Sequence, residues 1–312
     1  MRFSKSTPGM VSGIIMVVSA SIFYGTIPIF SSLLSREGVG VWIQVGARLG
    51  ITALIFGLIG IGFKGQMRLM SLLPSRRNLR FALLNGAFVM GAFVTYIAAV
   101  ARSTPTKVVL ISYLYPLFVL ILARIFLREP LTASRIGALL LGVVGIAITV
   151  EVWTAVKDLR TLSTGDLLAL LNAVTTSGAV LIGRWWRSRE ETPALNVTFW
   201  TVLGGFFWLL VLALLDTILN GGAEITRQIV FPSTGLQAVL LLSALAVLGT
   251  AVPYFLFYTG LGRVPSSAAS ILMLPEVISV FVFSAIFLGQ GIALPQLVGG
   301  VVILTAGALT TR

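Results

Sequence analysis

The chain has no cysteine and no histidine, and only 10 acidic residues among its 312. Without cysteine there are no disulfides, thiol nucleophiles or thiolate metal ligands; without histidine there are no imidazole proton relays and no zinc-type clusters. Metalloprotease His pairs and Ser-His or Cys-His catalytic sets are thereby excluded. The phosphate-cradling run G-x-x-x-x-G-K-[ST] is also absent. Charge of either sign is scarce: 10% of residues are charged, against roughly 25% in soluble domains. A water-soluble globule is excluded on that ground.

What fills the space is apolar, at 57% of the chain. Ten apolar segments follow one another, at 10–34, 41–63, 78–101, 104–127, 131–153, 165–187, 194–219, 235–259, 264–288 and 291–311. A hydrocarbon core about 30 Å thick needs roughly 20 residues of helix, so the chain reads as an integral membrane protein with no room for a soluble domain. The apolar run behind Arg2 and Lys5 is about twice the length of a signal-peptide core and reads as a retained first helix.

The net charge of +12 takes its meaning from its distribution. If each segment crosses once, one set of loops and ends carries fifteen Lys and Arg, including Lys64, Arg68, Arg76, Arg77, Arg80, Arg124, Arg128, Arg184 and Arg263. The other set carries six: Arg36, Arg102, Lys107, Lys157, Arg160 and Arg227. Basic loops stay in the cytoplasm, so both termini are expected there and the charge is a topology signal rather than a nucleic-acid footprint. The basic loop 64–80 is a secondary candidate for contact with anionic lipid headgroups.

The chain also repeats. Residues 104–137 resemble 264–300, sharing a leading proline (Pro105, Pro265), a mid-span proline (Pro116, Pro275) and an Ile-Phe-Leu exit at 125–127 and 286–288. Gly137 and Gly145 recur as Gly299 and Gly307. Two halves of five crossings must enter the membrane in opposite senses, a ground plan of secondary transporters. The expected architecture is all-α: ten transmembrane helices in two inverted five-helix repeats, 1–153 and 165–312, with a periplasmic linker at 154–164.

The LREPLT run before an Ile-Gly-Ala-rich helix, the arginine of GARLG at 46–50 and the repeated proline-centred segment resemble the EamA-type drug/metabolite transporter superfamily. That resemblance implies a ten-helix bacterial inner-membrane exporter. Within the superfamily the chain resembles exporters of aromatic amino acids and related amphipathic compounds. It departs from the pattern at Gly289-Gln290, where Gly-Glu is usual, which weakens any role for an acid there.

By these spans two ionisable groups lie well inside lipid, Arg48 and Glu276. A charge at the bilayer centre costs about 2.5 to 3.5 kcal/mol on insertion scales, so each needs a cavity or a partner. Arg48 suits a substrate carboxylate, and Glu276 an amine or a transported proton; the structural alternative pairs them with each other or with backbone. Pro28, Pro116, Pro253 and Pro275 interrupt the first, fourth, eighth and ninth helices and free backbone carbonyls, which marks helix breaks of a gating type. Helical spacing adds stripes: Ser21 and Tyr24 with Gly25 and Pro28; Asn85 and Tyr96 with Phe88 and Ala92; Ser112 with Tyr115; Asn172 and Thr176 with Ala179; Thr250 with Tyr254 and Tyr258. Together these side chains would line a neutral, ring-rich pocket for an amphipathic solute. Taken singly, each Ser, Thr or Asn reads more simply as an interhelical hydrogen bond.

Gly46, Gly50, Gly137, Gly142, Gly145, Gly299 and Gly300 read as close-packing positions. Trp185 and Trp186, beside Arg184 and Arg187, read as interface anchors. No cofactor or metal is implied, and one intramembrane acid does not support carboxylate catalysis. The expected partners are a small-molecule substrate and the lipid bilayer, with no nucleic acid, as a monomer or weak homodimer. The expected function is secondary export by alternating access. Its alternatives are a nucleotide-sugar or lipid-linked metabolite carrier, or a polar-lined channel.

Overall fold

The computed structural model describes residues 7–62, 75–155, 163–189, 192–222 and 235–310. Much of the basic loop 64–80 and of the linker 154–164 lies outside the described residues. Among the described residues, fourteen α-helices build ten crossings. The first half contains α1 (Thr7–Tyr24), α2 (Ile27–Arg36), α3 (Val41–Gly62), α4 (Arg76–Val100), α5 (Pro105–Ser112), α6 (Tyr115–Leu122) and α7 (Ala133–Thr149). The second contains α8 (Thr164–Arg189), α9 (Ala194–Asn220), α10 (Leu236–Ala246), α11 (Val252–Leu261), α12 (Ser266–Leu272), α13 (Glu276–Leu288) and α14 (Leu294–Leu309). Eight crossings are long apolar runs, and the fifth and tenth, α7 and α14, are shorter apolar helices.

The outer surface is a belt of exposed Leu, Ile, Val and Phe, including Leu54, Leu140, Leu219 and Leu304. Such a belt is stable only against lipid, where helices satisfy their own backbone polar groups. The interior holds the small and hydroxyl residues instead: Ser21, Thr52, Asn85, Ser177, Thr201, Thr250 and Ser270 are almost fully enclosed. Where α4 crosses α9, a Cβ on Gly204 would lie 2.0 Å from the carbonyl oxygen of Ala82, so two backbones touch.

The two halves are related by an inverted two-fold pattern of packing. The second crossing meets the seventh, as α3 on α9, and the fifth meets the tenth, as α7 on α14. The third packs on the sixth, α4 on α8, as the eighth packs on the first, α11 on α1. Likewise α6 on α8 is mirrored by α13 on α1. Loop contacts agree with the alternating sense of the crossings. Arg263 Nη1 donates to Ser12 Oγ at 2.9 Å on the side that carries the termini. On the opposite side Lys107 Nζ pairs with Asp166 Oδ2 at 2.5 Å, and Ser103 Oγ donates to Asp166 Oδ1.

Proline shapes four crossings. The first breaks at Gly25 and Thr26, with Pro28 in the first turn of α2. The fourth breaks at Tyr113 and Leu114, before Pro116 in α6, and the ninth at Met273–Pro275, where Pro275 caps α13. The eighth does not break: it widens into a π turn at Val247–Ala251 ahead of Pro253, so the expected interruption there is a bulge in a continuous helix. The break in the first crossing presses closely on α13, since a Cβ on Gly25 would lie 2.4 Å from Ser279 Cβ.

Candidate functional site

The breaks surround one cavity of about 730 Å³. It is lined from α1 and α2 (Tyr24, Pro28, Ser31, Ser32, Ser35), α3 (Val41, Gln44, Arg48), α4 (Val89, Ala92, Phe93, Tyr96), the fourth crossing (Ser112, Tyr113, Tyr115) and α8 (Asn172, Thr176, Ala179). The second half completes it with Tyr254, Phe257 and Tyr258 from α11 and with Met273 and Glu276 from the ninth crossing. The chain contains six tyrosines, Tyr24, Tyr96, Tyr113, Tyr115, Tyr254 and Tyr258, and all six are in this wall. Tyr254 stands edge-on to Tyr24 with ring centroids 5.7 Å apart and lies 6.0 Å from Tyr258.

Arg48, 5% exposed, is held against the wall rather than by Glu276. Its Nε donates to Thr250 Oγ1 at 2.9 Å, its Nη2 reaches the Gly249 carbonyl at 3.5 Å, and its guanidinium carbon lies 4.8 Å from the centre of the Phe93 ring. The π turn explains the acceptor: widening at Val247–Ala251 turns the Gly249 carbonyl and the Thr250 hydroxyl toward α3. Glu276 opens α13 directly after the break, so its carboxylate faces the cavity from a helix start. Among the described residues it has no ion pair within 4 Å, and it lies in electrostatic range of Arg48 as well as of Tyr24, Tyr96, Tyr113 and Tyr115. One cationic and one anionic group thus face the same ring-lined space without neutralising each other by contact.

Ten of the twelve residues expected in the wall are there: Tyr24, Arg48, Tyr96, Ser112, Tyr115, Asn172, Thr176, Tyr254, Tyr258 and Glu276. Two are not. Ser21 is fully buried in α1 and donates to the Val18 carbonyl at 2.8 Å, although Tyr24 on the same unbroken helix reaches the cavity. Asn85 lies behind the wall, where its Nδ2 donates to Thr201 Oγ1 at 2.8 Å and to the Tyr258 hydroxyl at 3.1 Å. It fixes the Tyr258 ring from the rear. Asn172 is braced as well as exposed to the cavity, since its Nδ2 donates to the Ala92 carbonyl at 2.7 Å. Of the four prolines only Pro28 lines the cavity. Trp186 is not an interface anchor: it is 3% exposed and packs on Phe81 at 4.3 Å, while Trp185 remains on the surface.

Sequence spacing did not single out Tyr113, Gln44, Phe93 or the serines of α2. Gln44 is held by Ser31 and by the Val39 carbonyl, and so shapes the mouth. At that end Ser35 and Val100 are exposed. Toward the terminus side the cavity stops on a packed apolar block containing Phe81, Val119, Trp186, Val197, Trp200, Leu261 and Leu272.

Two inverted five-helix halves around a membrane-buried cavity, open at one end and blocked at the other, define a membrane transporter of small substrates. The chain belongs to the EamA-like transporter family, whose model matches residues 11–151 and 163–312, one match in each half. It is 28% identical over 222 residues to Protein PecM of Dickeya dadantii (strain 3937), covering 71% of this chain and 70% of that protein. It is 25% identical over 236 residues to an uncharacterized transporter of Archaeoglobus fulgidus, covering 76% of each. A solved structure titled "Crystal structure of protein" matches with a TM-score of 0.74 at 16% identity, over 96% of this chain and 97% of that one, and shares the fold.

Proposed function

We propose that this transporter exports small amphipathic zwitterions, aromatic amino acids foremost, across the bacterial inner membrane by alternating access. The observation that carries the reading is the wall itself: six tyrosines surround a space that Arg48 and Glu276 enter separately. Arg48 keeps donors for a carboxylate, and Glu276 with its neighbouring rings suits an ammonium group. The rings take the apolar side chain. A cavity of about 730 Å³ falls within the range of about 300 to 1,000 Å³ that holds compact ligands. A phosphate-bearing sugar would call for several basic groups, and the wall offers one arginine. The apolar block at one end favours a carrier over a continuously open channel.

In this reading the halves 1–153 and 165–312 rock about the site, joined by a periplasmic linker at 154–164, and both termini are cytoplasmic. Purified protein in liposomes should give saturable phenylalanine flux competed by tryptophan, with a cationic drug and a sugar phosphate as comparisons. Flux of the sugar phosphate without phenylalanine would point to the nucleotide-sugar type of carrier instead.

A further inference from the structure

Below the blocked end of the cavity lies a polar cluster in which a single carboxylate joins the two halves. Glu129 follows the fourth crossing and is 6% exposed. Its Oε1 accepts from the backbone N–H of Ser266 at 2.8 Å and from Ser266 Oγ at 2.9 Å. Its Oε2 accepts from the N–H of Ser267 at 3.2 Å and from Ser267 Oγ at 2.8 Å. Arg184 Nε stands 3.8 Å from Oε1, and Arg135 Nη1 donates to Ser267 Oγ at 3.0 Å. Arg184 also donates to the carbonyl of Leu261, which ties the end of α11 into the same knot. The first turn of α12, from the second half, is thus fastened to the first half through a buried charge, and hydrogen bonds to an ionised acceptor are the strong kind.

This knot is linked to the cavity. The Tyr115 hydroxyl, from the cavity wall, donates to the Ser270 carbonyl at 3.2 Å, and Ser270 Oγ donates to the Ser267 carbonyl at 3.0 Å. One turn of α12 separates a substrate-facing ring from the carboxylate.

The inverted repeat supplies a built-in comparison. After the Ile-Phe-Leu exits the backbone turns left-handed at Arg128 (φ 56°) and at Gly289 (φ 67°). The next N–H closes back six residues in both, from Glu129 to Ala123 and from Gln290 to Ser284. The geometry of the turn is kept and the charge is not. Gln290 is exposed, and its side chain holds no hydrogen bond among the described residues. The cavity is open on the side where Gln290 lies.

We propose that Glu129 is an ionic clasp that holds the terminus side of the cavity shut, and that neutral Gln290 at the matching turn gives the opposite closure a weaker hold, so the empty carrier rests open on the Ser35 side. A two-state carrier responds to whatever favours one closure over the other, so charge at these two turns sets the resting population. The proposal rests on alternating access. Its test needs no substrate, so an error in the substrate class leaves the labelling result intact.

Because the chain has no cysteine, single thiols can be introduced without background. Ser32→Cys places one in the cavity wall near the mouth, and Ser270→Cys places one at a fully buried position on the blocked side. In lipid vesicles a hydrophilic maleimide should label the first quickly and the second slowly. Glu129→Gln should reverse the trend, changing the ratio of the two rates about tenfold or more. Gln290→Glu, at an exposed position that disturbs no core, should move the ratio in the same direction. An unchanged ratio in either variant overturns the proposal. A lower melting temperature for Glu129→Gln with an unchanged ratio would reduce the residue to a structural cap.

Discussion

Arg48 is oriented before any ligand arrives, because Thr250, Gly249 and the Phe93 ring fix its guanidinium. A planar fork can serve the wall and a carboxylate together, which a lysine ammonium does poorly. Charge-assisted bonds are worth about 1.5 to 3 kcal/mol, so Arg48→Ala should weaken amino-acid binding ~10- to 100-fold while sparing amines that lack the acid, as read by equilibrium binding. Equal loss of both would make the residue structural. Glu276→Gln should lower amine transport and flatten its pH dependence in a flux assay; an unchanged profile removes Glu276 from the mechanism. Behind the wall, Tyr258→Phe strips Asn85 of one of its two partners, and the melting temperature should fall by the equivalent of about 1 to 3 kcal/mol. The two intramembrane charges were legible in the sequence because their cost in lipid is so high. Which groups hold Arg48 was not, since Gly249 and Thr250 reach it only through a π turn that no apolar periodicity announces.

Among the elements, crossings of small residues and interruptions by proline decide the geometry. A methyl on Gly204 would strike the Ala82 carbonyl of α4, so Gly204→Ala should cost about 1 to 3 kcal/mol or more and lower the thermal midpoint in detergent. A Cβ on Gly137 would meet no heavy atom within 4 Å, so Gly137→Ala should instead stabilise α7 by roughly 0.5 to 1 kcal/mol. Spacing alone treats Gly137 and Gly145 alike, yet only the latter meets α14, at the Gly299 carbonyl. Helix breaks explain missed side chains in the same way. A stripe drawn at helical period assumes an unbroken helix, and each break resets its phase. Tyr113 and Tyr115 therefore both reach the cavity from either side of the turn at Leu114, and Ser31 and Ser35 do so beyond Gly25.

For the whole molecule, the asymmetry of basic loops predicts which face is which. Glu37→Cys, at an exposed turn after α2, should be labelled by an impermeant maleimide added outside intact cells, and Arg76→Cys, at the exposed start of α4, only after the membrane is opened. The opposite pattern would invert the proposed direction of the cavity. Residues by themselves determined that this chain is an all-helical membrane protein of two inverted halves, with one arginine and one glutamate placed in the lipid core. Length, hydropathy and an odd number of crossings per repeat are enough for that, because backbone exposed to hydrocarbon has no water to bond and a helix satisfies its polar groups internally. Only the tertiary structure decided that all six tyrosines share one cavity, that Arg48 and Glu276 face it without direct contact, and that Glu129 fastens the two halves at one end. Those facts depend on how broken helices from opposite halves meet. The period of a single helix carries no information about the phase after a break or about the partner across the interface.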